Sequence, residues 1–126
     1  MPSGFDVVRS ERCDTDLELI FDHLFAAYCE LGDPVPDAFD RAVQRLRGIE
    51  GEINRLGEVP YQGTLPPSIM DGLRHVTKNS AVFYFIVDDA EQRLRVLGVF
   101  FGGQDHRAHI LRRIARGGSL MPEGAE

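Results

Sequence analysis

Apolar residues first gather in a short β-rich run at 5–9 (FDVVR), which predicts an opening strand. Leu17, Ile20, Phe21, Leu24, Phe25, Tyr28 and Leu31 then recur at the three- and four-residue spacing of one helical face. Asp14-Thr15-Asp16 offers a cap at the start of that face, and Gly32 offers a stop. The pattern predicts a helix over 15–31. Asp33-Pro34-Val35-Pro36 breaks it, and proline fits a helix's first turn, where its missing N–H has no intrahelical partner to lose. Phe39, Ala42, Val43, Leu46, Ile49, Ile53 and Leu56 resume the helical period to about residue 56. Gly48 and Gly51 weaken this second helix by about 1 kcal/mol each relative to alanine. The short connection makes the two helices an antiparallel hairpin.

The period then changes. Residues 58–71 (EVPYQGTLPPSIMD) form a Pro- and Gly-bearing loop. Residues 73–77 read as a second strand, Lys78-Asn79-Ser80 as a turn, and 81–87 as a third strand. The near-continuous apolar character of 81–87 suits a central strand covered on both sides. Asp88-Asp89-Ala90-Glu91 turns the chain into a fourth strand over 94–101. Asp105 can cap a last helix at about 106–115, with Ala108, Ile110, Leu111 and Ile114 as its apolar positions. Residues 117–126 have no periodicity and are expected to form a flexible tail. Two apolar helix faces and a sheet of apolar strands must cover each other. The fold class expected is α+β: a two-layer sandwich in β-α-α-β-β-β-α order, with the helical hairpin packed on a mainly antiparallel four-stranded sheet.

At 126 residues the chain is one domain by size, expected to span 1–116. No apolar run approaches the roughly 20 residues of a membrane span. The first residues lack the basic and apolar blocks of a signal peptide, so a cytoplasmic location is expected. Cys13 and Cys29 are the only cysteines and are expected to be free thiols, with Cys29 filling core space. No Cys/His spacing suggests a zinc site, and neither metal nor cofactor is expected.

Charge is divided unevenly. Residues 1–60 carry 13 acidic and 6 basic groups, a net of −7; residues 61–126 carry 7 and 8, a net of +1. Nucleic-acid affinity comes largely from neutralising phosphates, so direct nucleic-acid binding is not expected of the chain as a whole. Any anion-facing surface is C-terminal, where Arg107, Arg112, Arg113 and Arg116 stand against Asp105 alone. A solvated basic helix face is the ordinary reading of that cluster. The acidic residues of the two helices, Asp16, Glu18, Asp22, Asp37, Asp40, Glu50 and Glu52, read as a solvated face.

The order strand, helix, helix, strand, strand, strand, helix resembles the RelE/ParE superfamily of bacterial type II toxins. Phe5-Asp6-Val7-Val8 and Asp16-Leu17-Glu18-Leu19-Ile20 look like its opening strand and first helix. Leu56, Pro60 and Gly63, followed by Gly72-Leu73-Arg74, look like its passage from second helix to second strand. Ala81-Val82-Phe83-Tyr84-Phe85 and Val96-Leu97-Gly98-Val99-Phe100-Phe101-Gly102 resemble its last two strands. The resemblance covers residues 5–115 and rests on joint order and spacing.

It implies a toxin held inactive by a cognate antitoxin, ParD-like or RelB-like. Within the superfamily, RelE-like members cleave mRNA on the ribosome with basic side chains, and ParE-like members poison DNA gyrase. Here Phe101-Gly102-Gly103-Gln104-Asp105 carries no cation, and Phe83 stands where a ribonuclease relative would present arginine. The expectation is therefore closer to ParE, with gyrase as target and the ribosome as alternative; an interaction module without toxicity is a third possibility. Were the chain a ribonuclease, Arg74, His75, Lys78, His106, Arg107 and His109 would be its candidates, since cleavage needs cations at the phosphate and a group for the 2′-OH proton. His106 and His109 share a helix face, but exposed surface histidines are the ordinary reading of such a pair. Arg112, Arg113, Arg116, Phe83 and Phe85 are the candidates for partner binding. The two phenylalanines qualify only if their sheet face is open; burial in the core is the ordinary reading.

Overall fold

A computed structural model describes residues 4–65 and 71–101. The elements are β1 (Asp6–Arg9), α1 (Glu11–Glu30), α2 (Val35–Arg55), a single 3-10 turn (Leu56–Glu58), β2 (Leu73–Lys78), β3 (Ala81–Asp88) and β4 (Arg93–Phe101). They form a four-stranded sheet in the order β1-β4-β3-β2 with the helical hairpin on one face. β1 runs parallel to β4, and the other two pairings are antiparallel. The α+β sandwich expected from the sequence is the one observed. The helix expected at 106–115, the corner at 102–105 and the tail at 117–126 lie outside the described residues.

The helix ends follow local chemistry. Ser10 caps α1 in extended geometry, its Oγ accepting from the Cys13 N–H at 3.1 Å. The helix therefore begins at Glu11, ahead of the expected residue 15, and Asp14-Thr15-Asp16 lies inside it. At the other end Gly32 adopts φ +102°, a left-handed conformation that glycine takes without steric cost. The Asp33 N–H donates to the Tyr28 carbonyl and the Gly32 N–H to the Cys29 carbonyl, which closes the helix in a Schellman motif. Arg41 then ties the hairpin turn, donating to Asp33 at 2.6 Å and lying 4.1 Å from the centre of the Tyr28 ring. Asn79 and Ser80 both have positive φ, as a two-residue turn of type I′ requires.

β3 is covered on both sides, as its composition predicts. Phe83 and Phe85 point to the helices with Leu94, Val96 and Val99. Tyr84 lies in a second buried cluster with Leu73, Leu97 and Phe100. A bulge in β4 makes this possible. Tyr84 opposes Gly98 but Phe85 opposes Val96, so Leu97 is an extra residue. The slip shifts the alternation by one, which turns Val99 and Phe101 to the helix side and Phe100 away from it.

The bulged half of β4 is fastened by the start of α1. β1 ends at Arg9, opposite Val96, and the Ser10 N–H extends that ladder by donating to the Val96 carbonyl. Next along, Ser10 Oγ donates to the Leu97 carbonyl at 3.5 Å, and the Val99 N–H donates to Asp16 Oδ2 at 3.0 Å. Asp16 is only 6% exposed, so this carboxylate is an internal acceptor and does not belong to the solvated face expected of it. A buried backbone donor needs a partner, and the strand pairing cannot supply one there. The buried cysteine is Cys13, at the cap; Cys29, expected to fill core space, is only partly buried.

Candidate functional site

Strand register decides which side chains of β2 can act together. Arg74 pairs with Phe85 and Lys78 with Ala81, which places both on the helix side of the sheet. His75 pairs with Tyr84 and faces the opposite way. The three expected ribonuclease residues of this strand are thus divided between two faces. Arg74 is engaged locally: its Nη1 donates to the Tyr61 carbonyl at 2.7 Å, and its guanidinium lies 5.4 Å from the centre of the Tyr61 ring. It pins the 59–65 loop to the sheet. His106, Arg107, His109, Arg112, Arg113 and Arg116 lie outside the described residues.

On the face away from the helices, the His75 and Tyr84 rings lie 5.4 Å apart. Arg95, opposite Ile86 on β3 and Val8 on β1, shares that face. Its Nε is buried and has no hydrogen-bond partner among the described residues. Buried polar atoms are usually satisfied, so this atom is noteworthy. Arg95 was not among the residues expected to matter, because 94–101 reads as an apolar strand. The signal was present in Arg93-Leu94-Arg95-Val96, whose strict alternation puts both arginines on one face. On β3 that face carries Val82, Tyr84 and Ile86. Phe83 lies on the other face, beneath the helices. Phe83 and Phe85 are both 0% exposed beneath the helices, so the open face they would need as partner-binding residues is not there.

The helix side carries a second arrangement, on the outside of the hairpin. A groove of about 600 Å³ lies between α1 and α2, lined by Arg9, Asp14, Leu17, Glu18, Phe21, Asp22, Leu46 and Glu50. Arg9, at the end of β1, closes its base by bridging Asp14 at 3.1 Å and Glu50 at 3.0 Å. The hydrogen bond to Glu50, and after it the fields of Asp14 and Glu50, raise the Arg9 pKa further above its ordinary value against the opposing effect of desolvation. Arg9 is therefore a fixed cation across any working pH. Asp14, Glu18 and Asp22 follow at four-residue spacing, which stacks them along one line of α1. Leu17, Phe21 and Phe25 form the adjacent line. Phe21 and Phe25 stack at 6.2 Å, and both meet Phe39 of α2 edge-on. Phe39 remains 49% exposed.

Of the acidic residues expected to form a solvated face, Glu18, Asp22 and Glu50 line one groove together with Asp14. Asp14, Glu18, Asp22 and Glu50 converge on one cleft. The spacing 14/18/22 was visible in the sequence; the contribution of Glu50 from α2 required the hairpin's packing. Chemically, the far face of the sheet holds an imidazole and a guanidinium beside the buried Tyr84, and the hairpin groove offers carboxylates over an apolar floor. Among the described residues no group of three or more His, Cys, Asp or Glu side chains is arranged to hold a metal ion. No helix there is long and apolar enough to cross a membrane.

No protein-family model matches the chain. No curated protein matches it in sequence. Solved structures do resemble it. A chain of the chromosomal ParDE toxin–antitoxin system of P. aeruginosa superposes with a TM-score of 0.57 at 22% identity, covering 75% of this chain and 92% of that one. A chain of the RelBE2 toxin–antitoxin complex of Mycobacterium tuberculosis matches with a TM-score of 0.52 at 11% identity, over 79% and 99% of the two chains. A RelE toxin mutant of E. coli in the free state matches with a TM-score of 0.50 at 10% identity, over 88% and 98%. The chain has the fold of the RelE/ParE toxins.

Proposed function

We propose that this chain is the toxin of a bacterial type II toxin–antitoxin pair, ParE-like in acting on DNA gyrase and neutralised by a cognate antitoxin. The observation that carries the toxin reading is agreement in fold over nearly the whole of a ParDE-system chain. The preference for gyrase over mRNA rests on electrostatics. Phosphodiester cleavage needs cations gathered at one phosphate, where they stabilise charge that develops in the transition state. Arg74 and Lys78 lie on one side of the sheet and His75 on the other. Arg74 is in addition committed to Tyr61. An inhibitor that works by binding needs no such convergence. The pair is expected to act in the cytoplasm.

One observation favours the ribonuclease alternative: Arg95, whose Nε has no hydrogen-bond partner among the described residues, shares a face with His75. Two assays separate the readings. Antitoxin-free protein is added to purified gyrase and supercoiling of a relaxed plasmid is followed; in parallel it is added to a translating extract and mRNA ends are mapped. Inhibited supercoiling with intact mRNA supports the ParE-like reading. Codon-positioned mRNA cleavage with unaffected gyrase overturns it in favour of the ribonuclease, and loss of that cleavage in Arg95→Met would place Arg95 in the site. Inactivity in both assays, without growth arrest on expression, leaves an antitoxin-binding module.

A further inference from the structure

The groove on the helical hairpin is an unpartnered surface whose chemistry specifies its occupant. We propose that it is the docking site for a helical segment of the antitoxin that presents arginine or lysine side chains beside apolar ones. The proposal rests on the toxin reading above and adds which surface is used and what recognises it.

Shape points to a helix. The groove runs between two antiparallel helices, and on α1 its walls are two parallel rows at four-residue spacing, one acidic (Asp14, Glu18, Asp22) and one apolar (Leu17, Phe21). Rows of this kind accept the corresponding rows of another helix. Asp14 to Asp22 spans eight residues, about 12 Å of helix, or roughly two turns of a partner. The partly exposed Phe39 continues the apolar lane past the end of the acidic row.

Charge decides what that helix carries. Four carboxylates face one guanidinium, and Arg9 is already bridged to Asp14 and Glu50. Glu18 and Asp22 are exposed and make no salt bridge among the described residues. Like charges four apart on a helix destabilise it by roughly 0.2–0.5 kcal/mol per pair, so the row 14/18/22 is unfavourable in the isolated chain. A cationic partner would turn that repulsion into attraction and would speed association through the field of the row. The same row repels phosphates, so a nucleic acid is a poor occupant. A small polycation could satisfy the charges but would leave the Leu17, Phe21 and Leu46 floor uncovered.

The test uses the purified chain, the purified product of the reading frame adjacent to its gene, and titration calorimetry at two salt concentrations. Glu18→Lys/Asp22→Lys is the groove variant. The variant turns the 14/18 pair attractive and leaves 18/22 a like-charge pair, so its thermal melt should stay at or above that of the parent, which shows that it is folded. Arg93→Glu, on the far face of the sheet, is the control. The expected result is at least a tenfold loss of affinity in the groove variant, a shallower salt dependence, and no change in the control. Binding of the adjacent product to parent and groove variant within twofold overturns the proposal and leaves the antitoxin reading intact. An adjacent product that binds neither overturns both. Spermidine at millimolar concentration provides the remaining arm. Displacement of the partner by spermidine as complete as that by an excess of a peptide carrying the partner's cationic and apolar residues would overturn the helix assignment in favour of a simple polycation site.

Discussion

Replacing Asp16 by alanine is the sharpest test of how this fold is assembled. Asp16 sits in the second turn of α1, 6% exposed, and accepts the Val99 N–H at 3.0 Å. That amide lies just past the β4 bulge, beyond the reach of β1. Removing the carboxylate leaves a buried backbone donor without its acceptor, which costs about 1–3 kcal/mol, toward the upper end because the acceptor carries charge. We expect Asp16→Ala to lose about 2–3 kcal/mol, a large share of the roughly 5–15 kcal/mol that holds a domain of ordinary stability. At roughly 3–5 °C per kcal/mol for a chain of this length, Tm falls by about 6–15 °C. Asp16→Asn keeps an acceptor oxygen without the charge and should lose about half as much. Urea unfolding followed by far-UV circular dichroism gives the free energies, and amide hydrogen exchange at Val99 reports the bond itself. A loss below about 0.5 kcal/mol in Asp16→Ala, with Val99 still protected, would refute the reasoning; it would mean that the bulge amide finds an equivalent partner unaided.

Further expectations concern neighbouring features. Ser10→Ala removes both the α1 cap and the donor to Leu97, and should cost about 1 kcal/mol in the same urea experiment. Combined with Asp16→Ala it should cost less than the sum of the two, because both side chains fasten one stretch of β4; strict additivity would show that they act separately. Gly63→Ala should destabilise by at least about 1 kcal/mol, since Gly63 has φ +87° and an added Cβ would meet the His75 carbonyl oxygen at 2.3 Å. Its signature is faster exchange of the His75 amide, which donates to Thr64. Arg74→Met keeps the apolar stem but loses the Tyr61 carbonyl contact. We expect a change in global stability below about 1 kcal/mol, with faster proteolytic cleavage at 59–65, and unchanged cleavage there would count against a pinning role.

Much of the architecture was legible because it is local. The apolar spacing of Leu17 through Leu31 and of Phe39 through Leu56 is itself the helical period, and Gly32 ends α1 for a reason contained in its own lack of a Cβ. The turn at Asn79-Ser80 and the apolar run of β3 are equally local. Ser10 escaped notice as a cap because Asp14-Thr15-Asp16 offers the same chemistry one turn later, and local chemistry does not distinguish them. The choice is made by long-range contacts, with Ser10 bonded to Val96 and Leu97, more than eighty residues away.

The candidate surfaces divide along the same line. Period-two alternation says that Arg74, His75 and Lys78 cannot all share a face, and that Arg93 and Arg95 do. It does not say which face meets the helices. That was decided by the pairing of β2 with β3 and by the Leu97 bulge, which together bury Phe83 and Phe85 and turn Tyr84 toward His75. The acidic row of α1 is likewise written in the spacing of Asp14, Glu18 and Asp22, but only packing against α2 brings Glu50 and Leu46 across from it to make a groove. The elements and the periodicity of each one's faces could be read from the chain, because backbone geometry and side-chain spacing act over a few residues. Which faces meet, and whether a carboxylate such as Asp16 is a surface charge or an internal hydrogen-bond acceptor, depends on packing between elements. Register and burial are set by contacts between segments far apart in the chain.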